Sequence, residues 1–318
     1  MTPPAPPHPT SRTRPARVQD MPPAPAVLIH NPGAGTSHRA DPTQLRAALR
    51  DAGFDAEYRP TRTPHDLGPA LSGPLPGPVF IAGGDGTFRA AALHLAGRDA
   101  TVGVIPLGTS NNIARTLGLT GDPVDIARAY RTATRHPFDA GRVQAPWGED
   151  VFFEAFGCGL FADLLHAYDP TAPKSPLRAA QALLTTLPGF QAQPVPTCID
   201  GHPSPAPPLT LLEIMNIQST GNGLHLAPDA HPGDGLLNLI RVNGQQRDSL
   251  AAYATAMLRG QFDTLPSVQE DVAATFTLHA TGQHVGQVFH VDGETRTHPG
   301  GPVHVQVWAG ALHVLRPD

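Results

Sequence analysis

From Ala26 onward, short apolar runs alternate with stretches punctuated by polar residues, proline and glycine. Ala26 to His30 reads as a buried strand followed by a polar, glycine-containing loop. Asp41-Pro42 then supplies the N-cap and first position of a helix that Gly53 ends. Val79 to Ala82 predicts the next strand, Phe88 to Leu95 a helix, Val102 to Ile105 a strand, and Ile113 to Leu117 a helix stopped by Gly118. Asp122-Pro123 caps a further helix to about Thr132. Strand and helix alternating at this spacing predict a parallel sheet with helices on its faces.

Beyond about Arg135 the pattern becomes β-rich. Leu209 to Ile217, Leu236 to Val242, Val285 to Val291 and Val303 to Trp308 have strand composition, the last with strict alternation at Val303, Val305 and Val307. Asp200-Gly201 predicts a hairpin turn. Helical patterns over Leu160 to Tyr168, Leu177 to Leu187 and Ser249 to Leu258 interrupt this half. Residues 1–25 are too proline-rich and too poor in apolar residues to pack and are expected to be disordered, with Met21 a second candidate start. An α/β first domain over 26–136 and a mainly antiparallel second domain, with the boundary near 137, follow from the change of texture.

Composition narrows what such a protein does. The 318 residues are enough for two domains, and 40% hydrophobic with 15% charged is an ordinary globular balance. A net charge of -5 gives no global attraction to nucleic acid, and no nucleic-acid partner is expected. Apolar stretches break within about ten residues, short of the ~20 that span a bilayer. Arg12, Arg14 and Arg17 are followed by no apolar signal region, so a cytoplasmic location is expected. Cys158 and Cys198 form no C-x-x-C and read as reduced thiols. Lys174 is the only lysine and has no glycine-rich loop before it, which excludes a Walker A motif, a protein-kinase strand lysine and a lysine Schiff base.

Three glycine-rich loops fall at predicted strand ends. Gly83-Gly84-Asp85-Gly86-Thr87 lets backbone amides approach a phosphate at a helix N-terminus. Asp85 there makes sense if Mg²⁺ bridges it to phosphates; a tight structural turn is the plain alternative. Pro106-Leu107-Gly108-Thr109-Ser110-Asn111-Asn112 repeats the geometry one unit later, with helix capping as its simpler role, and Asn31-Pro32-Gly33-Ala34-Gly35 ends the first strand. Three such loops on one sheet edge define a nucleotide-sized cleft. In the second half, Asp234-Gly235 and Asp292-Gly293-Glu294 set acid beside glycine. In an extended segment Asp292 and Glu294 project to one side, as a metal ligand or general base pair would; solvated hairpin turns are the alternative. The 16 histidines form no H-E-x-x-H motif or close cluster and read as surface or satisfied residues.

Taken together, Asn31-Pro32-x-x-Gly35, Gly83 to Thr87, Pro106-Leu107-Gly108-Thr109-x-Asn111, Ala227-Pro228-Asp229-Ala230 with Asp234-Gly235, and Asp292-Gly293-Glu294 resemble, in order, the diacylglycerol kinase catalytic-domain superfamily and its bacterial soluble lipid kinases. The resemblance covers about residues 26–316. It implies an NAD kinase/diacylglycerol kinase-like fold: a Rossmann-like α/β nucleotide-binding domain, a β-sandwich over 137–305, and a return segment over about 306–318. It implies an ATP-dependent lipid kinase phosphorylating a hydroxyl of a diacylglycerol-like lipid, bound peripherally at the membrane surface, with homodimerisation a further implication. ATP would contact Asn31, Pro32, Gly33, Ala34, Gly35, Thr61, Gly83, Gly84, Asp85, Gly86, Thr87, Phe88, Arg89, Gly108, Thr109 and Asn111. Glu294 would take the lipid hydroxyl proton, with Asp292 as close partner or substitute, and Asp85 would serve the catalytic Mg²⁺. A second Mg²⁺ would be held by Asp234 and the carbonyls of His231 and Leu236. The sequence departs from the family where Asn112 replaces a common Asp and where Arg89-Ala90 replaces Asn-Glu. An NAD kinase-type phosphotransferase on a soluble acceptor, or a catalytically silent nucleotide- or lipid-binding regulator, is the competing reading.

Overall fold

The computed structural model describes residues 22–167, 190–246, 248, 250–280, 284 and 286–317. The segment 1–21 expected to be disordered, and the helix expected over Leu177 to Leu187, lie outside the described residues.

The first half has the predicted parallel sheet with helices on its faces, with one strand (Phe54–Pro60) and one short helix (Leu67–Leu71) between Gly53 and Val79 that the patterning did not announce. Strands β1 (Ala24–His30), β2 (Phe54–Pro60), β3 (Val79–Gly83) and β4 (Thr101–Pro106) pair in the parallel order β4-β3-β1-β2. β3 is buried at every position, as a strand covered by helices on both faces must be. Between and after them run α1 (Pro42–Asp51), α2 (Leu67–Leu71), α3 (Asp85–Leu95), α4 (Asn112–Thr116) and α5 (Pro123–Ala129). α1 starts where Asp41 and Gln44 form a capping box and ends before Gly53, whose φ of 96° suits glycine alone. α1 packs on α5 and α2 on α3, covering the strands.

β1 begins two residues before the expected Ala26, so Ala24 and Pro25 belong to the fold. α3 begins at Asp85 rather than Phe88, with extended Gly84 as its N-cap. Gly-Asp-Gly-Thr has the composition of a turn, but an acid at the first helical position is favoured by the helix dipole.

The second half contributes β5 (Thr134–Ala145), β6 (Gly148–Phe152), β7 (Ala155–Gly159), α6 (Leu160–Ala167), β8 (Gln193–Pro194), β9 (Thr197–Ile199), β10 (His202–Ser204), β11 (Pro208–Met215), β12 (Ser219–Thr220), β13 (Leu224–His225) and β14 (Leu237–Asn243). α7 (Leu250–Arg259), β15 (Val268–Ala273), β16 (Thr275–Leu278), β17 (Val288–Val291), β18 (Glu294–Thr297) and β19 (Val303–Arg316) follow. Asp200 and Gly201 have φ of 45° and 81° and join β9 to β10 as the predicted two-residue hairpin.

β19 is a 14-residue strand rather than one ending at Trp308. Its first part pairs antiparallel with β16, and its end runs parallel to β4. The register shifts between Trp308 and Leu312, where Gly310 has φ of 60°. This bulge breaks the alternation and so mimics a strand end in the sequence. Through β19 and its partner β5, the parallel sheet continues into β16-β9-β10 as one 10-stranded sheet. A second sheet, β15-β14-β11-β7-β17-β18, packs on the β-rich part. Val143, Phe152, Phe276, Val303 and Val305 of the first sheet meet Phe156, Leu212, Ile214 and Phe289 of the second in one buried core. Among the described residues no helix is long and apolar enough to cross a membrane.

Candidate active site

The strand order sets where a ligand can sit. β1 connects outward to β2 while β3 connects the other way to β4, so the topological switch point falls between the carboxyl ends of β1 and β3. The three glycine-rich loops meet there. Asn31 Nδ2 donates to Thr87 Oγ1 at 2.9 Å while its Oδ1 accepts Gly33 N–H at 2.9 Å, clasping the first loop to α3. Leu107 N–H donates to the Gly83 carbonyl at 2.8 Å, and Thr36 N–H to the Leu107 carbonyl at 2.9 Å. A Cβ on Gly108 would sit 2.6 Å from the Gly84 Cα, and one on Gly35 2.8 Å from Thr109 Oγ1, so these glycines let the loops touch. Gly86 is different: it is exposed and a Cβ there would meet nothing within 4 Å, so packing does not require glycine at this position.

Pro32, Gly33, Gly35 and Thr109 are exposed around this edge, and Ala34 is half-buried. Thr61 is buried behind the first loop with its N–H on the His30 carbonyl at 2.8 Å. Asn111 is spent on its own loop: at φ 50° it accepts Gly108 N–H at 2.8 Å and donates to the Gly108 carbonyl at 2.9 Å. Phe88 points away from the cleft, 1% exposed against Phe138 and Phe153, so only its backbone can face a nucleotide.

Asp85 accepts Ile113 N–H at 3.1 Å, tying the second loop to the third. Burial pushes its carboxyl above the ordinary carboxylate range, with the Ile113 and Asn112 amides and the Arg115 charge pulling it partly back. Four residues along the same helix face, Arg89 crosses to the second half of the chain. Its Nε lies 3.2 Å from Asp292 Oδ2, and its Nη1 donates to Glu294 Oε1 at 2.7 Å. The guanidinium that the family resemblance placed among the nucleotide contacts is therefore engaged with the Asp-Gly-Glu carboxylates.

Those carboxylates are not on an extended segment. Asp292 and Gly293 have φ of 49° and 83° and form the two-residue turn between β17 and β18, with Val291 opposite Glu294. Asp-Gly favours this turn because both positions need positive φ. Asp292 accepts Phe153 N–H at 2.9 Å on Oδ2, and Glu154 N–H at 2.8 Å and Ala155 N–H at 3.1 Å on Oδ1. With three amides and the Arg89 charge beside it, Asp292 clamps the hairpin to the bend before β7. Burial raises its pKa, and Arg89 with the three amides offsets part of the rise. Glu294 keeps a side chain 53% exposed, held by Arg89 and by Arg296 Nη2 at 3.2 Å; Arg296 in turn pairs with Asp150 at 2.8 Å. A cleft of about 370 Å³ lined by Arg89, Leu93, Arg142, Val143 and Asp150 opens beside this network. Behind the hairpin, fully buried His290 has Nε2 2.8 Å from Glu213, which leaves Nδ1 facing Gly293 N–H at 3.4 Å.

The turn expected to hold a second cation is on the surface. The His231 carbonyl accepts Gly233 N–H at 2.8 Å, and Asp234 is exposed with Oδ1 accepting Leu236 N–H at 2.9 Å. Among the described residues no group of three His, Cys, Asp or Glu side chains is arranged to hold a metal. A cation on this turn would rest on one carboxylate, carbonyls and water.

Sequence reasoning missed the acids that organise the site from below. Asp139, 1% exposed, accepts Gly235 N–H at 2.8 Å and Gly310 N–H at 2.7 Å, joining that turn to the β19 bulge. Glu154, 8% exposed, accepts from Asn112 Nδ2 at 3.1 Å. Each is a lone acid in an apolar run, Phe138-Asp139-Ala140 and Phe153-Glu154-Ala155, and a charge in such a run signals a partnered or functional group.

Residues 25–143 match the diacylglycerol kinase catalytic domain, and residues 165–316 match the YegS C-terminal NAD kinase beta sandwich-like domain. A diacylglycerol kinase from Mycobacterium tuberculosis (strain ATCC 25618 / H37Rv) is 30% identical over 242 residues, covering 75% of this chain and 76% of the relative. A diacylglycerol kinase from Bacillus subtilis (strain 168) is 26% identical over 284 residues, 83% of this chain and 91% of the relative. The crystal structure of a diacylglycerol kinase from Bacillus anthracis str. Sterne superposes with a TM-score of 0.65 at 18% identity, covering 93% of this chain and 97% of that one, which establishes the shared fold. Two domain matches in tandem and a relative of this identity over this span place the chain in the diacylglycerol kinase family, phosphotransferases with an alcohol group as acceptor.

Proposed function

We propose that this protein transfers the γ-phosphate of Mg-ATP to a hydroxyl of a diacylglycerol-like lipid presented at a membrane surface. One face of α3 carries the reading. Asp85 stands at the glycine-rich edge, and Arg89, about 6 Å further along the axis, holds Glu294. A phosphate-side acid and an exposed carboxylate are thereby fixed across one cleft. In this reading residues 26–136 with the end of β19 bind the nucleotide and residues 137–305 the acceptor.

ATP would lie against Asn31 to Gly35, Thr61, Gly83 to Thr87, the backbone of Phe88, Gly108, Thr109 and Asn111, with the first amides of α3 facing the phosphates. The donor set fits a hard cation: Asp85 is a carboxylate, and beside it Asn112 Oδ1 is buried without a hydrogen-bond partner. Mg²⁺, when bound, offsets negative charge on the phosphoryl group in transfer. The protein's own groups do the rest. Glu294 accepts the acceptor hydroxyl proton as its oxygen attacks phosphorus and ADP departs, while Arg89 and Arg296 hold that carboxylate in place. A cavity of about 270 Å³ in the second half, lined by Cys158, Leu209, Leu211, Leu212 and Val288 among others, suits part of a lipid. The exposed turn at Asp234, with the His231 and Leu236 carbonyls, is our candidate for a second, structural Mg²⁺.

The test is transfer from γ-labelled Mg-ATP to a panel of lipids in detergent micelles, with NAD as a soluble acceptor alongside. Label extracting into organic solvent supports the proposal. Label in NAD moves the protein to the soluble-acceptor reading, and ATP binding without turnover on any acceptor makes it a regulator.

A further inference from the structure

We infer that Glu154 supplies a second carboxylate to the divalent cation bound at Asp85, a role the third glycine-rich loop leaves open by carrying an amide at Asn112. The inference rests on the Mg-ATP reading above. Asn112 is 1% exposed and links the two acids, its backbone amide facing Asp85 and its side chain reaching Glu154. From one side Asp85 takes the Ile113 and Asn112 backbone amides. From the other, Asn112 Nδ2 donates to Glu154 Oε2 at 3.1 Å and to the Gly221 carbonyl at 2.9 Å. Both nitrogen partners are acceptors, so the amide orientation is fixed. That oxygen is buried and has no hydrogen-bond partner. An unmatched buried acceptor is costly unless something electropositive meets it.

Glu154 itself is held in register. It lies in the bend just before β7, and its own backbone N–H is fixed on Asp292 Oδ1 at 2.8 Å, so the residue is anchored to the hairpin that presents Glu294. Two carboxylates and an amide oxygen, all hard donors, make a partial shell of the kind Mg²⁺ completes with water and substrate phosphate. The nucleotide's cation would thus be gripped from both halves of the chain, by Asp85 from the α/β part and by Glu154 from the sandwich. Its binding would couple nucleotide loading to the placement of the proton acceptor.

The experiment titrates Mn²⁺ into full-length protein with saturating ATP, following bound metal by its electron paramagnetic resonance signal. Glu154→Gln, which preserves shape and an acceptor for Asn112, is expected to weaken Mn²⁺ binding by about 10- to 100-fold. Metal-free ATP binding should be unchanged. The double variant N112D with E154Q returns the carboxylate from the loop side and is expected to recover most of the loss. Asn112→Asp alone adds a third acid and is expected to tighten Mn²⁺ several-fold, a gain that misfolding cannot imitate. Mn²⁺ affinity unmoved in both Glu154→Gln and Asn112→Asp, while Asp85→Asn loses it, overturns the role of Glu154 and leaves the kinase reading intact. Wild-type protein that binds no Mn²⁺ with ATP overturns both.

Discussion

Arg89 is the residue on which the two halves of the site hang, and Arg89→Ala isolates its contribution. The guanidinium is 15% exposed and faces Asp292, whose side chain is 3% exposed. Removing one member of a buried ion pair typically destabilises by about 3–5 kcal/mol. Three backbone N–H groups remain on Asp292, so the lower end applies, about 3 kcal/mol. That corresponds to a melting point lower by about 6–12 °C. The pH dependence distinguishes charge from packing. Arg89 lowers the Asp292 pKa, which burial already holds above its unfolded value; without Arg89 the folded pKa rises further. A carboxyl with a raised folded pKa keeps its full stability contribution below the unfolded value, near ~3.9, and loses it as pH rises through the folded value. The wild-type-to-variant gap is therefore small near pH 4 and fully developed by pH 8. Circular dichroism melts across that range measure it. The same gap at both ends would refute the ion-pair account and leave Arg89 as a packing residue.

Other substitutions test neighbouring parts of the site. Asp85→Asn keeps an oxygen for Ile113 N–H but removes a charge whose pKa burial raises, so the variant should melt at or above the wild type at pH 7, with the difference fading toward pH 4. The same protein should lose metal-dependent ATP binding in calorimetry, and retention of both would remove Asp85 from the phosphate side. Gly108→Ala places a Cβ 2.6 Å from the Gly84 Cα and 2.7 Å from Asn111 Oδ1, forcing two loops apart. Overpacking of about 1–3 kcal/mol there should weaken ATP by about 5- to 100-fold if it falls on the binding loops, measurable by the same titration.

Much of this was legible because it is local. Asp41-Pro42, Gly53 and Gly118 marked helix ends through capping chemistry, and the glycines of Gly83 to Thr87 announced a strand end, although all of that segment but Gly84 lies within β3 or α3. Asp200-Gly201 gave its hairpin for the same reason. What was hidden depends on partners distant in sequence. Glu154 meets Asn112 across 42 residues and Asp139 meets Gly310 across 171, and no periodicity encodes such pairings. The Asp292-Glu294 spacing suggested a side-by-side pair, but the positive φ of the Asp-Gly turn sends Asp292 inward to three amides and leaves Glu294 exposed between Arg89 and Arg296. Arg89 read as a departure from the family until the structure showed which carboxylates it holds. The continuity of β19 was masked because a bulge at Gly310 interrupts the alternation that identifies a strand.

The proposed transfer turns on one side chain taking a proton from a lipid hydroxyl. Glu294→Gln should leave ATP affinity unchanged while lowering label transfer from γ-labelled Mg-ATP to lipid in micelles by about 10²–10⁴-fold. Transfer within a few-fold of the wild type would contradict it, because no general base would then stand at Glu294.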